Sequence, residues 1–404
     1  MPTTLTAARG PGPGTGPGIR PDGCAVGEQP PEGPCVTLFA PAPRRRSRSR
    51  TVGWVFVAGA VVLGLVASVL PSPYVIEMPG PVFNTIGTQR QGTGKDAKDV
   101  ELIQVDGHRT YPTSGALDML TVSVQGTATE RPSWTSVVRA LFTKSQAVVP
   151  ASAIYPPGTS TDQVNKQDAA DMTNSQQSAV AAALIHQGYR IPTELEVGSI
   201  QDGSAAEGVV RTGDVVTAFD GKSLRTNADA TTLRELVAEH GTSSPATVTV
   251  ERDGATRELS LTPRSEQGTA LIGVGVVEHY DFPFDVDIEL QDVGGPSAGM
   301  MFALGIIDEI TPGKLNGGRH VAGTGTITAD GEVGPIGGIR QKLYGAEAAG
   351  ATVFLAPKTN CDEVVGHVPA GLDVYAVSTL DQAVTDLQTI AAGRSTAGLE
   401  RCTT

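Results

Sequence analysis

Hydrophobic and polar positions divide this chain into blocks of different period. Residues 1–43 are rich in Gly and Pro, with little periodic apolar character, a composition expected to stay disordered. Thr51–Leu70 then runs for 20 residues without a charge, and Pro71 ends it. A helix of that length is expected to cross a hydrocarbon core, and it exceeds the apolar run of a cleaved signal peptide. Residues 100–126 alternate with the period of strands, whereas 132–144 and 161–188 have helical spacing, so 71–189 predicts a small membrane-proximal α+β platform. Over 190–265 the pattern predicts a strand at Leu195–Ile200, a helix around Leu233, Leu236 and Val237, and a hairpin of Ala246–Arg252 and Ala255–Leu261 across Asp253-Gly254. From 270 to 393 come strands at Leu271–Val276 and Val286–Leu290, an apolar helix from Met300, a helix carrying Lys342, and a continuous apolar strand Val353–Pro357 of the kind buried in α/β sheets. Val374–Val377 and a helix Leu380–Ile390 close the block, and 394–404 reads as a flexible tail. The fold class expected is α+β multidomain, with an N-terminal transmembrane helix.

Charge orients this layout. Arg44, Arg45, Arg46, Arg48 and Arg50 precede the apolar run, and only Arg90 follows it within 20 residues. That bias predicts membrane lipid around residues 51–70, a cytoplasmic tail over 1–50 and an extracytoplasmic remainder. The chain carries a net charge of −13, although residues 1–50 hold seven basic and three acidic side chains. An acidic remainder argues against nucleic acid as a partner. Of four cysteines, Cys24 and Cys35 fall in the tail, while Cys361 and Cys402 lie where a disulfide is permitted. No cysteine or histidine spacing suggests a metal, and no cofactor is expected.

The candidate chemistry lies at Gly294-Gly295-Pro296-Ser297-Ala298-Gly299. A serine in a Gly/Pro turn that opens an apolar helix is lifted to the helix N-terminus. The unpaired N–H groups there suit a developing oxyanion. A serine needs a base to take its proton, and no histidine stands near it in a recognisable motif. Lys342, in Gly334-Pro335-Ile336-Gly337-Gly338-Ile339-Arg340-Gln341-Lys342, could be that base if burial beside Ile339, Leu343, Ala346 and Ala349 brought its pKa near neutrality. Glu347, five residues on, should point elsewhere. The plain alternative is a helix cap and a solvated surface lysine. Gly-Pro-Ser-Ala-Gly, then Thr324-Gly325-Thr326-Ile327-Thr328, then Gly331 to Gly338 and Lys342, together resemble the proteolytic domain of the Lon proteases. The resemblance implies Ser297 as nucleophile, Lys342 as general base and Thr324 as its support, with Gly295, Pro296 and Ala298 forming the oxyanion turn. Many of those proteases have an acidic residue directly before Gly-Pro-Ser; Gly294 stands there in this chain. The family's ATPase loop is also missing: Gly221-Lys222-Ser223 lacks the first glycine, at Val216, so no nucleotide is expected.

Ser204-Ala205-Ala206, Gly213-Asp214-Val215-Val216 and Asp220-Gly221 resemble a PDZ domain. Such domains add an extended peptide to a sheet edge and often seat its C-terminal carboxylate. The loop that does so should precede the strand at 195, and Gln187-Gly188-Tyr189-Arg190 is no clean version of it. A C-terminal peptide ligand and a purely structural role both stay open. The whole order resembles membrane-anchored bacterial Lon-like PDZ proteases. It implies an ATP-independent serine endopeptidase (EC 3.4.21) acting on unfolded or membrane-proximal proteins. A PDZ adaptor with a silent protease domain is the alternative. No interface that would make a homo-oligomer is legible.

Overall fold

The computed structural model describes residues 48–92, 98–156, 158–266, 268–290 and 293–402. The chain divides after Gly59 into two compact units. The boundary falls within helix α1 (Arg48–Val69), whose Trp54, Phe56 and Leu63 are exposed. Among the described residues no helix is long and apolar enough to cross a membrane, so the expected transmembrane helix over 51–70 is not upheld. The tail expected to be disordered lies, through residue 47, outside the described residues, as do Cys24 and Cys35.

The main sheet of the second unit is mixed. Its N-terminal strands are β1 (Tyr74–Asn84) and β3 (Ala116–Gln125), with β2 (Ile103–Asp106) between them in sequence. After α2 (Trp134–Leu141) comes β4 (Ala147–Pro150), and then the long α3 (Thr161–His186), opened by a capping box of Ser160 and Gln163.

A second sheet follows. Its elements are β5 (Thr193–Ile200), β6 (Val215–Phe219), α4 (Ala230–His240), β7 (Ala246–Arg252), β8 (Ala255–Leu261) and β9 (Val274–Tyr280). The strands pair antiparallel in the order β8-β7-β6-β5-β9 over a core that includes Leu195, Val216, Phe219, Leu233, Val237 and Val248. The hairpin pairs in the expected register, from Ala246 with Leu261 to Arg252 with Ala255. Strand β9 was expected to start the proteolytic block. It instead forms the edge of this sheet, with Val274 opposite Ile200 and Tyr280 opposite Thr193.

The chain then returns to the first sheet through β10 (Asp285–Ile288), which pairs with β2, and α5 (Gly299–Ile310). The remaining elements are β11 (His320–Gly323), the short β12 (Thr326–Ile327) and β13 (Val333–Gly334), α6 (Ile339–Ala349), β14 (Val353–Pro357), β15 (Asp373–Val377) and α7 (Leu380–Ala391). The main sheet runs β15-β14-β11-β3-β1-β4. Its first four strands are parallel, and β1 is antiparallel to both neighbours. The platform read over 71–189 therefore shares its sheet with 320–377: β3 pairs with β11 from Ala116–His320 to Met119–Gly323. Period 2 sends Leu355 and Val353 of β14 into a core with α5, α3 and α7, and Phe354 and Ala356 into a core with α6 on the other face. Helix α5 is buried almost all round, as a helix with no polar stripe must be. The tail expected to be flexible is fastened as far as Cys402. Cys402 is disulfide-bonded to Cys361, Glu400 O accepts from Ala376 N, and Arg401 pairs with Asp373 and lies over the Tyr375 ring.

Candidate active site

Ser297 sits in the turn that enters α5. Gly295 adopts φ +84°, a conformation that favours glycine. Gly294 lies so close to α3 that a Cβ would stand 2.6 Å from that of Asp168. The Gly295 N–H donates to Asp168 O at 2.8 Å, and Ser175 Oγ donates to Pro296 O at 3.0 Å. Helix α3 thus clamps the turn from outside. Asp168, Met172 and Ser175 recur at i, i+4 and i+7, so one helix face meets the turn. That face went unassigned in the sequence because α3 is polar along most of its length. Asp168 also brings an acidic side chain to a turn where position 294 has none. Burial, then the nearby Asp171, pushes its carboxyl up from the ordinary value.

From inside, Gly325 N donates to Ser297 O at 3.0 Å and Met300 N donates to Gly325 O at 3.1 Å. The strand end before β12 therefore stitches the turn to the first residues of α5. Thr324, which is fully buried, donates from Oγ1 to Ser297 O at 2.9 Å.

Lys342 lies in the first turns of α6. Its Nζ is 2.8 Å from Ser297 Oγ and 3.0 Å from Thr324 Oγ1. The residue is only 2% exposed. Burial lowers its pKa from 10.5 to about 7, because the interior disfavours the ammonium. Glu347 is exposed, as its position on the helix required. Ser297, Lys342 and Thr324, 45 residues apart at most in sequence, thus converge on one point. A half-buried hydroxyl beside a dry, neutral-capable amine can lose its proton to that amine. They open onto a cavity of about 480 Å³ walled by Leu120–Ser123, Met172 and Val293. Of the expected oxyanion turn, Pro296 has no N–H and that of Gly295 is taken by Asp168. Ala298 is buried at the N-cap of α5.

Residues 286–389 match the model of the Lon protease (S16) C-terminal proteolytic domain. This is a serine peptidase domain. Residues 164–262 match that of a PDZ domain. Lon protease 2 of Herpetosiphon aurantiacus is 41% identical over 105 residues, 24% of this chain and 13% of that protein. Lon protease 1 of Bacillus subtilis is 36% identical over 108 residues, 26% of this chain and 14% of that one. The chain thus matches a small fraction of the length of these relatives. The PDZ domain of an SdrC-like protein from Listeria monocytogenes aligns with 20% of this chain and 86% of that structure, at 18% identity and a TM-score of 0.19.

The PDZ unit has a groove of its own. A cavity of about 540 Å³ runs between α4, with Ala230, Leu233 and Val237, and the edge strand β9. Leu271, Ile272 and Gly273 line it beside the start of β9.

Proposed function

We propose that this chain is an ATP-independent serine endopeptidase working through a Ser297–Lys342 dyad. The observation that carries the reading is the 2.8 Å approach of Lys342 Nζ to Ser297 Oγ, with the amine dry enough to titrate near 7. Neutral Lys342 takes the Ser297 proton as Oγ attacks the scissile carbonyl, then returns it to the leaving amine. The amide of Ala298, at the N-cap of α5, is the candidate donor to the tetrahedral oxyanion. Thr324 holds the lysine and the Ser297 carbonyl in one geometry. The 404 residues contain no phosphate-binding loop, which supports proteolysis without ATP. Substrates are then unfolded or flexible segments able to enter the cavity extended. The PDZ groove, with an open sheet edge at β9 and an apolar wall on α4, suits the C-terminus of such a protein. The Cys361–Cys402 bridge supports an oxidising compartment for this unit.

The test is hydrolysis of casein, and labelling by a fluorophosphonate, with Ser297→Ala and Lys342→Ala. Each substitution should lower cleavage by roughly a thousandfold or more with the melting transition retained. Normal turnover by Lys342→Ala would remove the mechanism, and an inert wild type would leave a PDZ adaptor.

A further inference from the structure

Asp229 joins the PDZ groove to the Ser297 turn. It is 2% exposed, and a buried carboxylate is tolerated only when donors surround it. Its two oxygens serve different parts of the molecule. Oδ1 caps α4, accepting from Thr232 N at 2.7 Å and Thr232 Oγ1 at 2.9 Å. Oδ2 accepts from Ala329 N at 2.9 Å, one hundred residues away. Ala329 is fully buried and follows β12, whose preceding residue, Gly325, donates to the Ser297 carbonyl. Ile327 of that strand packs where Gly299, the first residue of α5, approaches it. On the groove side, Ala230 lines the cavity, and its N–H donates to Glu278 Oε1 of β9, the opposite wall. Tyr280 donates to the other Glu278 oxygen at 2.7 Å.

A cap alone would need one acceptor, and serine would suffice. The second oxygen has a different task. A shift of α4 against β9, as when a peptide enters the groove, would act through this hydrogen bond on Ala329 and the segment that carries Thr324 and Gly325. We propose that Asp229 is a positioning residue through which occupancy of the PDZ groove sets the geometry of the Ser297 turn. This rests on the reading of Ser297 as the nucleophile.

The test creates occupancy without knowing the natural ligand. In the full chain with Cys24→Ser and Cys35→Ser, Arg234→Cys on the exposed groove wall is labelled with pyrenyl maleimide, which fills the groove. Labelling should change kcat on a short fluorogenic peptide about fivefold, with KM within about twofold. It should also change hydrogen exchange over 324–331. Adding Asp229→Ser, which keeps a helix cap but cannot reach Ala329, should abolish both responses. Asp229→Asn, an equally good cap, should act likewise, because its amide N–H would face that of Ala329. An unchanged kcat and exchange on labelling, or an equal response with and without Asp229, overturns the proposal. If the chain cleaves nothing, the exchange data still decide the coupling, so the two readings fail separately.

Discussion

Replacing Lys342 by Met should make the protein inactive and, at neutral pH, more stable. Methionine has a similar length and no charge, so it fills the same dry space. In the folded chain the lysine pKa is about 7, against 10.5 for the ordinary side chain. Below about 7 both folded and unfolded chains hold the proton, and the folded one bears the full burden of a buried ammonium. Between about 7 and 10.5 the unfolded chain binds more protons, so wild-type stability rises with pH and the burden disappears. At 1.36 kcal/mol per pH unit this burden is about 4 kcal/mol at pH 7 and about 1.5 kcal/mol at pH 9.5. The variant also gives up the contacts to Ser297 and Thr324, about 1 kcal/mol each and independent of pH. Lys342→Met should therefore gain about 2 kcal/mol at pH 7 and roughly nothing at pH 9.5. Urea unfolding at the two pH values, followed through Trp134 where it packs edge-on against Tyr74, measures the difference. In the same wild-type preparation kcat/KM should rise with pH through about 7 as the amine becomes a base. A stability difference that does not move between the two pH values would show that Lys342 is solvated, and the argument for it as a base would go with it.

Thr324→Val should lower kcat by about 10–100-fold, because the hydroxyl linking Lys342 Nζ to the Ser297 carbonyl is gone, and Thr324→Ser should restore most of it; peptide hydrolysis reads both. Gly299→Ala would set a Cβ 2.8 Å from Ile327 Cγ2 and 2.9 Å from Ser175 Oγ. A loss of about 1–3 kcal/mol in urea unfolding and slower fluorophosphonate labelling of Ser297 are expected. Arg252→Met would strip Asp214, which is 1% exposed, of a guanidinium that contacts both its oxygens at 2.6 and 2.7 Å. The PDZ unit should lose about 3 kcal/mol, seen as an earlier calorimetric transition.

The candidate site was drawn from the sequence through the order of blocks that resembles the Lon proteolytic domain, since the serine turn alone reads as readily as a helix cap. Gly-Pro-Ser-Ala-Gly specifies a turn into a helix, and Lys342 falls a few residues after the Gly337-Gly338 turn that starts α6. Three such blocks in order bring Ser297, Thr324 and Lys342 together, and the Asp253-Gly254 turn likewise set the register of β7 on β8. What stayed illegible was partnership. The alternation over 100–126 marks β3 as a strand, yet nothing in a period of two says that it pairs with β11, some two hundred residues on. Leu271–Val276 reads equally well as the first strand of one domain or the last of another. A bridge between Cys361 and Cys402 was permitted by the sequence, but nothing in it showed Arg401 fastening the same tail to Asp373 and the Tyr375 ring.

These unread pairings matter more for substrate than for chemistry. The pairing of β3 with β11 ends at Met119 and Gly323, while β3 continues to Gln125 against β1 alone. The residues just past that end, Leu120–Ser123, are the ones that wall the cavity in front of Ser297. Met172 closes it from α3, whose Ser175 and Asp168 also fix the serine turn. The segment that carries the Lon-type match, 286–389, thus holds Ser297, Thr324 and Lys342, while Leu120–Ser123 and Met172, outside that segment, wall the cavity together with its Val293. The PDZ unit interrupts a single fold between its substrate wall and its nucleophile. It is therefore joined to both, through α3 and Tyr189 into β5 on one side and through β9 into β10 on the other.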